Sequence, residues 1–348
     1  MSEQEKPHRT KITIEEVAAS AGVSIKTVSR VVNKEANVSE KTRNKVASVI
    51  KKLNYQPNYS ARALAGRRSN LIGLVYDNPS PNYLVSIQNG VLRRCMEEGF
   101  HMVLQPCFYG NPNLGDEVVA LMQQTQIDGL ILTPPFSGFQ PFTEQLRSEH
   151  IEFVCMAPPR NHASTLLGVR VDDAAAAQRM TEYLIELGHK RIGFIIGHPE
   201  HSAAAERLEG YQRALDLHGL AYDSSLVVQG YFSSESGHTA AKELLNLPKR
   251  PSAIFASNDD MAIGAIMAAH EHGLRLPEDL SICGFDDTDP ASLSWPRLTT
   301  MRQPITDMAY TATGILIHKV KTGNVLPSPT NLGFDLVKRE STTAPFVA

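Results

Sequence analysis

The sequence predicts an α/β protein in which a small helical N-terminal module precedes two doubly wound parallel-sheet lobes, and three observations carry that expectation. Past residue 70, short apolar runs alternate with stretches of helical pattern. Before residue 70 the pattern is helical throughout. The charge divides at the same place: of the 348 residues, the first 70 hold 14 Lys/Arg against 6 Asp/Glu, and the remainder 20 against 31. A chain of this length is too long for one ordinary core, and 42% hydrophobic with 20% charged residues fits an ordinary soluble globular protein.

The strands come first in the argument. Leu71–Tyr76, Met102–Gln105, Leu130–Thr133 and Phe153–Met156 form one set; Ile192–Ile196, Leu226–Val228, Ala253–Ala256 and Ser281–Phe285 form a second. Short apolar runs separated by helices read as parallel strands covered on both faces. Two sets of about four imply two lobes with a ligand cleft between them. On pattern alone, one large sheet is the alternative.

The N-terminal module reads as three helices. Residues 1–10 are polar and are expected to be disordered. Thr13-Ile14-Glu15-Glu16 is a capping box that opens a helix to about Ser20. Gly22 supplies a turn, Ser24 caps a second helix through about Asn33, and Ser39 caps a third with Val46, Val49, Ile50 and Leu53 at helical spacing. Pro57 ends it.

Two short helices separated by Ala21-Gly22-Val23 have the dimensions of a helix-turn-helix. Val28, Val31 and Val32 share one side of the second helix and can pack on Val17 and Ala18. Lys26 and Arg30, four residues apart, project together on another side. Lys or Arg can donate to guanine O6 and N7, and Ile25 in the first turn can meet a thymine methyl. Thr27 and Ser29 carry hydroxyls suited to phosphate oxygens. A basic module on an acidic body points to a polyanion partner for the module alone. A surface helical hairpin with an incidental basic face is the bland alternative.

Thr13-Ile14-x-x-Val17-Ala18, Ala21-Gly22-Val23-Ser24, Thr27-Val28-Ser29-Arg30-Val31, Val38-Ser39-x-x-Thr42-Arg43, Tyr55-x-Pro57-Asn58, Ala61-x-x-Leu64-Ala65-Gly66 and Ile72-Gly73 together resemble the lac repressor/galactose repressor family, across essentially the whole chain. The resemblance implies a helix-turn-helix headpiece over 11–57, a hinge helix and linker over 58–70, and a body over 71–348 whose lobes resemble periplasmic sugar-binding proteins. It implies base reading by Ile25, Lys26 and Arg30, and a hinge helix in which Asn58, Ala61 and Leu64 meet DNA. There Leu64 would wedge into a minor-groove step, and an apolar wedge of that kind bends the duplex. It also implies crossings between lobes near 168–172, 294–300 and 332–336. Lobe one would then hold about 71–168 and 300–332, and lobe two about 169–299 and 333–348.

In the body, Arg207, Asn258 and Asp286 follow apolar runs or open helices, where open α/β sheets bind ligands. Arg donors, Asp acceptors and an Asn that does both suit the vicinal hydroxyls of a sugar. The resemblance assigns these three to an effector, with Asp77, Tyr83, Phe232 and Gln303 carried over on looser motifs; Arg160, after Pro158-Pro159, joins them. Aromatic residues stack on a sugar ring or a base equally well, so two readings stand. One is a repressor of carbohydrate-use genes relieved by a sugar inducer; the other is a corepressor-dependent regulator sensing a purine-like ligand. A solute-binding protein without DNA function is a third.

Enzyme signatures are missing. No two glycines are spaced G-x-G, and neither a P-loop nor a G-x-S-x-G elbow occurs. His198-Pro199-Glu200-His201 lacks a third ligand set at a recognised metal spacing. No cofactor or metal is expected. Four scattered cysteines, no apolar signal core and no membrane-length apolar run lead to an expectation of a cytoplasmic protein with reduced thiols and no membrane partner. The expected partners are operator DNA, a small effector and a second copy of the chain. Ending at Ala348 without a C-terminal heptad helix favours a dimer over a tetramer.

Overall fold

The computed structural model describes residues 12–32, 37–55, 68–162, 165–325 and 330–346. It divides into an N-terminal unit through Ser69 and a body from Asn70.

Among its described residues the N-terminal unit has three helices: Ile14–Ala21 (α1), Ile25–Val32 (α2) and Glu40–Leu53 (α3). The capping box at α1 forms in both directions, with Glu16 N donating to Thr13 Oγ1 and Thr13 N to Glu16 Oε2. Gly22 ends the helix at φ +58°, a left-handed conformation that a Cβ disfavours. Ser24 Oγ accepts from Thr27 N and starts α2; Ser39 Oγ accepts from Thr42 N and starts α3. Val17, Ala18, Ala21, Val28, Val31 and Val46 are buried together, and Val49, Ile50 and Leu53 pack against them. The expected hinge at 58–66, with Asn58, Ala61 and Leu64, lies outside the described residues.

The body holds two six-stranded sheets with one winding order. Leu71–Tyr76 (β1), His101–Pro106 (β2), Gly129–Leu132 (β3), Phe153–Met156 (β4), Gly168–Val171 (β5) and Asn331–Leu332 (β11) are ordered β11-β5-β4-β3-β1-β2, all parallel. Ile192–Ile196 (β6), Val227–Gln229 (β7), Ala253–Ala256 (β8), Ser281–Asp286 (β9), Thr299–Arg302 (β10) and Asp335–Val337 (β12) are ordered β12-β10-β9-β8-β6-β7. Here only β12 runs antiparallel. The central strands β3, β4, β8 and β9 are buried at every residue, because helices cover both faces. Side chains on opposite faces of the first sheet feed separate cores. Leu74, Ile131 and Val154 meet Pro81–Glu98 (α4) and Ile305–Thr322 (α12); Val75, Leu130, Leu132 and Phe153 meet Leu114–Thr125 (α5) and Gln140–Ser148 (α6). Each such fully buried aliphatic is worth about 1.5–3 kcal/mol. The second sheet is covered by Asp173–Glu186 (α7) with Ser202–Leu217 (α8) on one face, and Ser234–Leu245 (α9) with Asp259–Glu271 (α10) on the other. A short helix, Asp289–Leu293 (α11), follows β9.

The chain passes from the first sheet to the second after Val171 and again between β11 and β12, and it returns between β10 and α12. That return lies at Gln303–Pro304, after the expected 294–300. Residues 299–302 pair with β9, so lobe one resumes after Arg302 rather than at 300. The mixed segment Thr299-Thr300-Met301-Arg302 is not an apolar run, and only its pairing reveals it as a strand.

Helices α9 and α10 touch backbone to backbone. A Cβ on Gly264 would lie 2.0 Å from Ser234 O and 2.5 Å from His238 N, and one on Gly237 would lie 2.2 Å from Met261 O. Backbone atoms cannot step aside as a flexible side chain can. Gly264→Ala is therefore predicted to cost about 1–3 kcal/mol from overpacking, outweighing the gain of up to about 1 kcal/mol from replacing a mid-helix glycine. Thermal denaturation reads the outcome; an unchanged or raised melting temperature would contradict the close approach.

Candidate functional site

On α2 the buried Val28 and Val31 fix which face looks outward. Ile25, 47% exposed, and Lys26 stand clear on the first turn, while Thr27, Ser29 and Arg30 are half-buried beside them. Thr27 Oγ1 lies 2.9 Å from Ser24 Oγ, so its hydroxyl is shared with the cap of its own helix. Ile25 thus presents an apolar surface at the start of the helix. The geometry leaves an apolar group and two cations on one short helix, the set that base edges and phosphates can use.

The second site is a cleft in the body whose empty space, including the part open to solvent, is about 410 Å³. Its walls come from the carboxyl ends of strands in both sheets: Ser80 and Tyr83 follow β1, Pro134 follows β3, Arg207 follows β6, Phe232 follows β7, and Asp286 ends β9. In doubly wound sheets this is where crevices open, because the connections on either side of a reversal diverge there. Gln303, on the returning crossing, completes the wall.

Arg207 organises the cavity. It is 5% exposed. Its Nε donates to Asp173 Oδ1 at 2.8 Å, its Nη1 to the Ser257 carbonyl, and its Nη2 lies 3.9 Å from Asp286 Oδ1. The guanidinium stands 3.7 Å above the Phe285 ring. Gln303 Nε2 donates to Asp286 Oδ1 at 2.5 Å. Burial pushes Asp286 up to about 7; Arg207 and Gln303 act against the rise, and the charges of Asp260 and Asp173 add to it. His201 is buried beside the Phe232 ring, and burial pushes it down to about 3, so its imidazole is neutral at pH 7.

Backbone strain collects here. Ala157, Phe232 and Asp286, at φ +45°, +62° and +113°, all line the cavity. Non-glycine residues in this region cost about 1–3 kcal/mol each and tend to mark functional positions. Phe232 is held by Asn258, whose Nδ2 donates to the Phe232 carbonyl at 3.0 Å while its Oδ1 accepts from Met261 N and caps α10.

Six expected residues thus line one cavity: Tyr83, Arg207, Phe232, Asn258, Asp286 and Gln303. Asp77 and Arg160 do not. Asp77 Oδ2 accepts from Tyr109 N and closes the turn after β2, and Arg160, half-exposed, pairs with Glu209 at 2.7 Å. Asn78, Ser80, Asp173 and His201 also line the cavity without having been expected. Each follows the carboxyl end of a strand, and that placement is the signal that could have found them. Across the cleft mouth Asp260 accepts from Ser80 Oγ and from Asn82 Nδ2, and Arg160 N donates to Glu206 Oε1, so polar contacts tie the lobes on two sides. Among the described residues no group of three or more His, Cys, Asp or Glu is placed to hold a metal ion, and no helix is long and apolar enough to cross a membrane.

The raised Asp286 fixes a pH dependence. Its folded value of about 7 lies above the ordinary 3.8, so the folded protein holds this proton more tightly than the unfolded chain. The contribution favours folding at low pH and is lost as pH rises from about 4 to 7. Asp286→Asn carries no such proton. Its melting temperature relative to wild type should rise between pH 4 and pH 7; a constant or falling difference would contradict a buried, proton-retaining carboxyl.

Two families match the chain: "Bacterial regulatory proteins, lacI family" over residues 13–58, and "Periplasmic binding protein-like domain" over 181–342. The Bacillus subtilis (strain 168) HTH-type transcriptional regulator DegA is 36% identical over 300 residues, covering 86% of this chain and 88% of that protein. The HTH-type transcriptional repressor PurR of Escherichia coli O139:H28 is 35% identical over 332 residues, covering 94% and 96%. Among solved structures, the lac repressor dimer bound to operator and the anti-inducer ONPF superposes with a TM-score of 0.83 at 29% identity, covering 96% of this chain and all of that one. The transcriptional regulator CelR–cellobiose complex gives 0.72 at 31% identity, covering 95% and 99%. The matched headpiece, the paired sheets and relatives of this identity over nearly the whole chain agree: this protein belongs to the lac repressor/galactose repressor family of bacterial transcription regulators.

Proposed function

We propose that this DNA-binding repressor acts as a homodimer on a roughly palindromic operator, and that a sugar held between its lobes acts as inducer and relieves repression of carbohydrate-use genes. The cleft carries this reading. A buried Arg207 with Asp173, Asp286 and Gln303 gives donors and acceptors on one side, and the rings of Phe232 and Tyr83 stand nearby. Vicinal hydroxyls both donate and accept, and aliphatic sugar faces pack on aromatic rings. The likeness to a regulator–cellobiose complex supports the same reading. The rings favour one further reading, a corepressor with a planar base, since either ligand can stack on them.

The dimer is supported by an exposed apolar stripe that none of the described residues covers. Val85, Leu92 and Met96, 52%, 44% and 72% exposed, share one face of α4, with Leu104 and Phe108 exposed on and beside the edge strand β2. Two copies related by a two-fold axis present two α2 helices to two half-sites.

Two variants separate the two activities in an operator-binding assay. Arg30→Ala should lose about 1–3 kcal/mol of operator affinity per base contact and relax specificity there; an equal loss on random DNA would assign Arg30 to phosphate. Asp286→Ala should still bind operator but no longer be released by the sugar that releases wild type. Full release of that variant by the same sugar would remove Asp286 from the effector site.

A further inference from the structure

We propose that the cleft accepts only ligands uncharged at the end that meets Arg207, and that Asp173 and Asp286 exclude phosphorylated and carboxylated sugars. This rests on the reading of the cleft as the effector site and narrows its chemistry.

Arg207 is the one permanent cation among the described residues that line the cavity, and it is already engaged. Nε is on Asp173, Nη1 is on the Ser257 carbonyl, Nη2 faces Asp286, and Phe285 covers one face of the guanidinium. The lining therefore sets one cation against two carboxyl groups. If Asp286 holds a proton, Asp173 alone still balances Arg207. The other lining group able to become a cation, His201, is buried and neutral.

The surroundings add no positive charge. Asp259 lies fully buried, held by Thr288 N, Thr288 Oγ1 and Thr300 Oγ1, with burial raising its carboxyl well above the ordinary range, and Asp260 accepts from Ser80 and Asn82. Other arginines of the body are paired: Arg170 with Glu206 at 2.5 Å, Arg160 with Glu209 at 2.7 Å, and Arg302 with Asp287 at 2.6 Å. Arg170 Nη1 is buried without a hydrogen-bond partner, but Arg170 does not line the cavity.

A phosphate or carboxylate reaching Arg207 would have to displace a carboxylate from it or sit at ionic-contact distance from one. Like charges about 4 Å apart in a partly shielded site weaken binding on the order of a thousandfold. A neutral hydroxyl meets no such penalty. Asp173 Oδ1 and Asp286 Oδ1 each accept from a protein donor, and a ligand hydroxyl can donate to a carboxylate or accept from a protonated carboxyl.

The test measures melting temperatures of the full-length protein at constant ionic strength. The probes are inorganic phosphate, glucose 6-phosphate and gluconate, each set against neutral glucose and cellobiose. Wild type, Asp286→Asn and Asp173→Asn are compared, so any phosphate taken up by the basic headpiece is common to all three. The expected result is a phosphate-dependent stabilisation in at least one Asn variant that wild type lacks, at an apparent affinity at least about tenfold tighter. Two variants guard against one failing to fold. Equal responses of wild type and both variants to phosphate would overturn the proposal. So would stabilisation of wild type by an anionic sugar that exceeds the effect of its neutral parent. Failure of every neutral sugar would count against the sugar reading alone, since the phosphate comparison still decides the charge argument.

Discussion

A guanidinium stays charged even inside a protein, so burying one is costly unless acidic groups meet it, and Arg207, near the start of α8, meets two carboxyl groups. Asp173 reaches it from the first turn of α7, immediately after the chain first crosses between sheets, and Asp286 reaches it from the last residue of β9. Three elements distant in sequence are thereby fixed around one side chain. A buried ion pair of this kind seldom adds net stability, because desolvation offsets the attraction, yet removing one partner leaves a costly bare charge. Its retention at a cavity rim, beside residues in strained conformations, fits a site maintained for binding rather than for folding.

That same cluster places the cleft where it can report on lobe geometry. Ser80, Tyr83 and Pro134 belong to the first lobe, Arg207 and Asp286 to the second, and Gln303 sits on the crossing between them. A ligand alters DNA affinity only by binding two arrangements of the protein unequally. The bridges from Ser80 and Asn82 to Asp260, and from Arg160 to Glu206, tie the two lobes together beside this cavity.

How much of this was legible in the sequence depended on local signals. Phe153–Met156, Ile192–Ile196 and Ala253–Ala256 read as strands to the residue, because burial on both faces demands continuous apolar side chains. The caps at Thr13 and Ser39 read just as directly, since their chemistry is complete within four residues. The strand Thr299–Arg302 did not, because its place depends on β9 and β12, and the second crossing was therefore set too early. Arg207, Asn258 and Asp286 were legible from strand-end placement and family motifs. Asp173 offered only the same strand-end placement, and its tie to Arg207 appears only once the fold brings the two together. Asp77 and Arg160 look like ligand groups in sequence, but neither lines the cavity: Asp77 accepts from a backbone amide and Arg160 pairs with Glu209.

If ligand in the Arg207–Asp286 cleft controls operator binding at the headpiece, the two sites are thermodynamically linked. The most direct measurement is the closed cycle of four affinities: operator with and without the inducing sugar, and the sugar with and without operator. Linkage requires both ratios to be the same number. The sugar should weaken operator binding by about fivefold or more, and operator should weaken sugar binding by an equal factor. Tight sugar binding with both ratios at one would contradict it, leaving the cleft a binding site with no hold on the DNA.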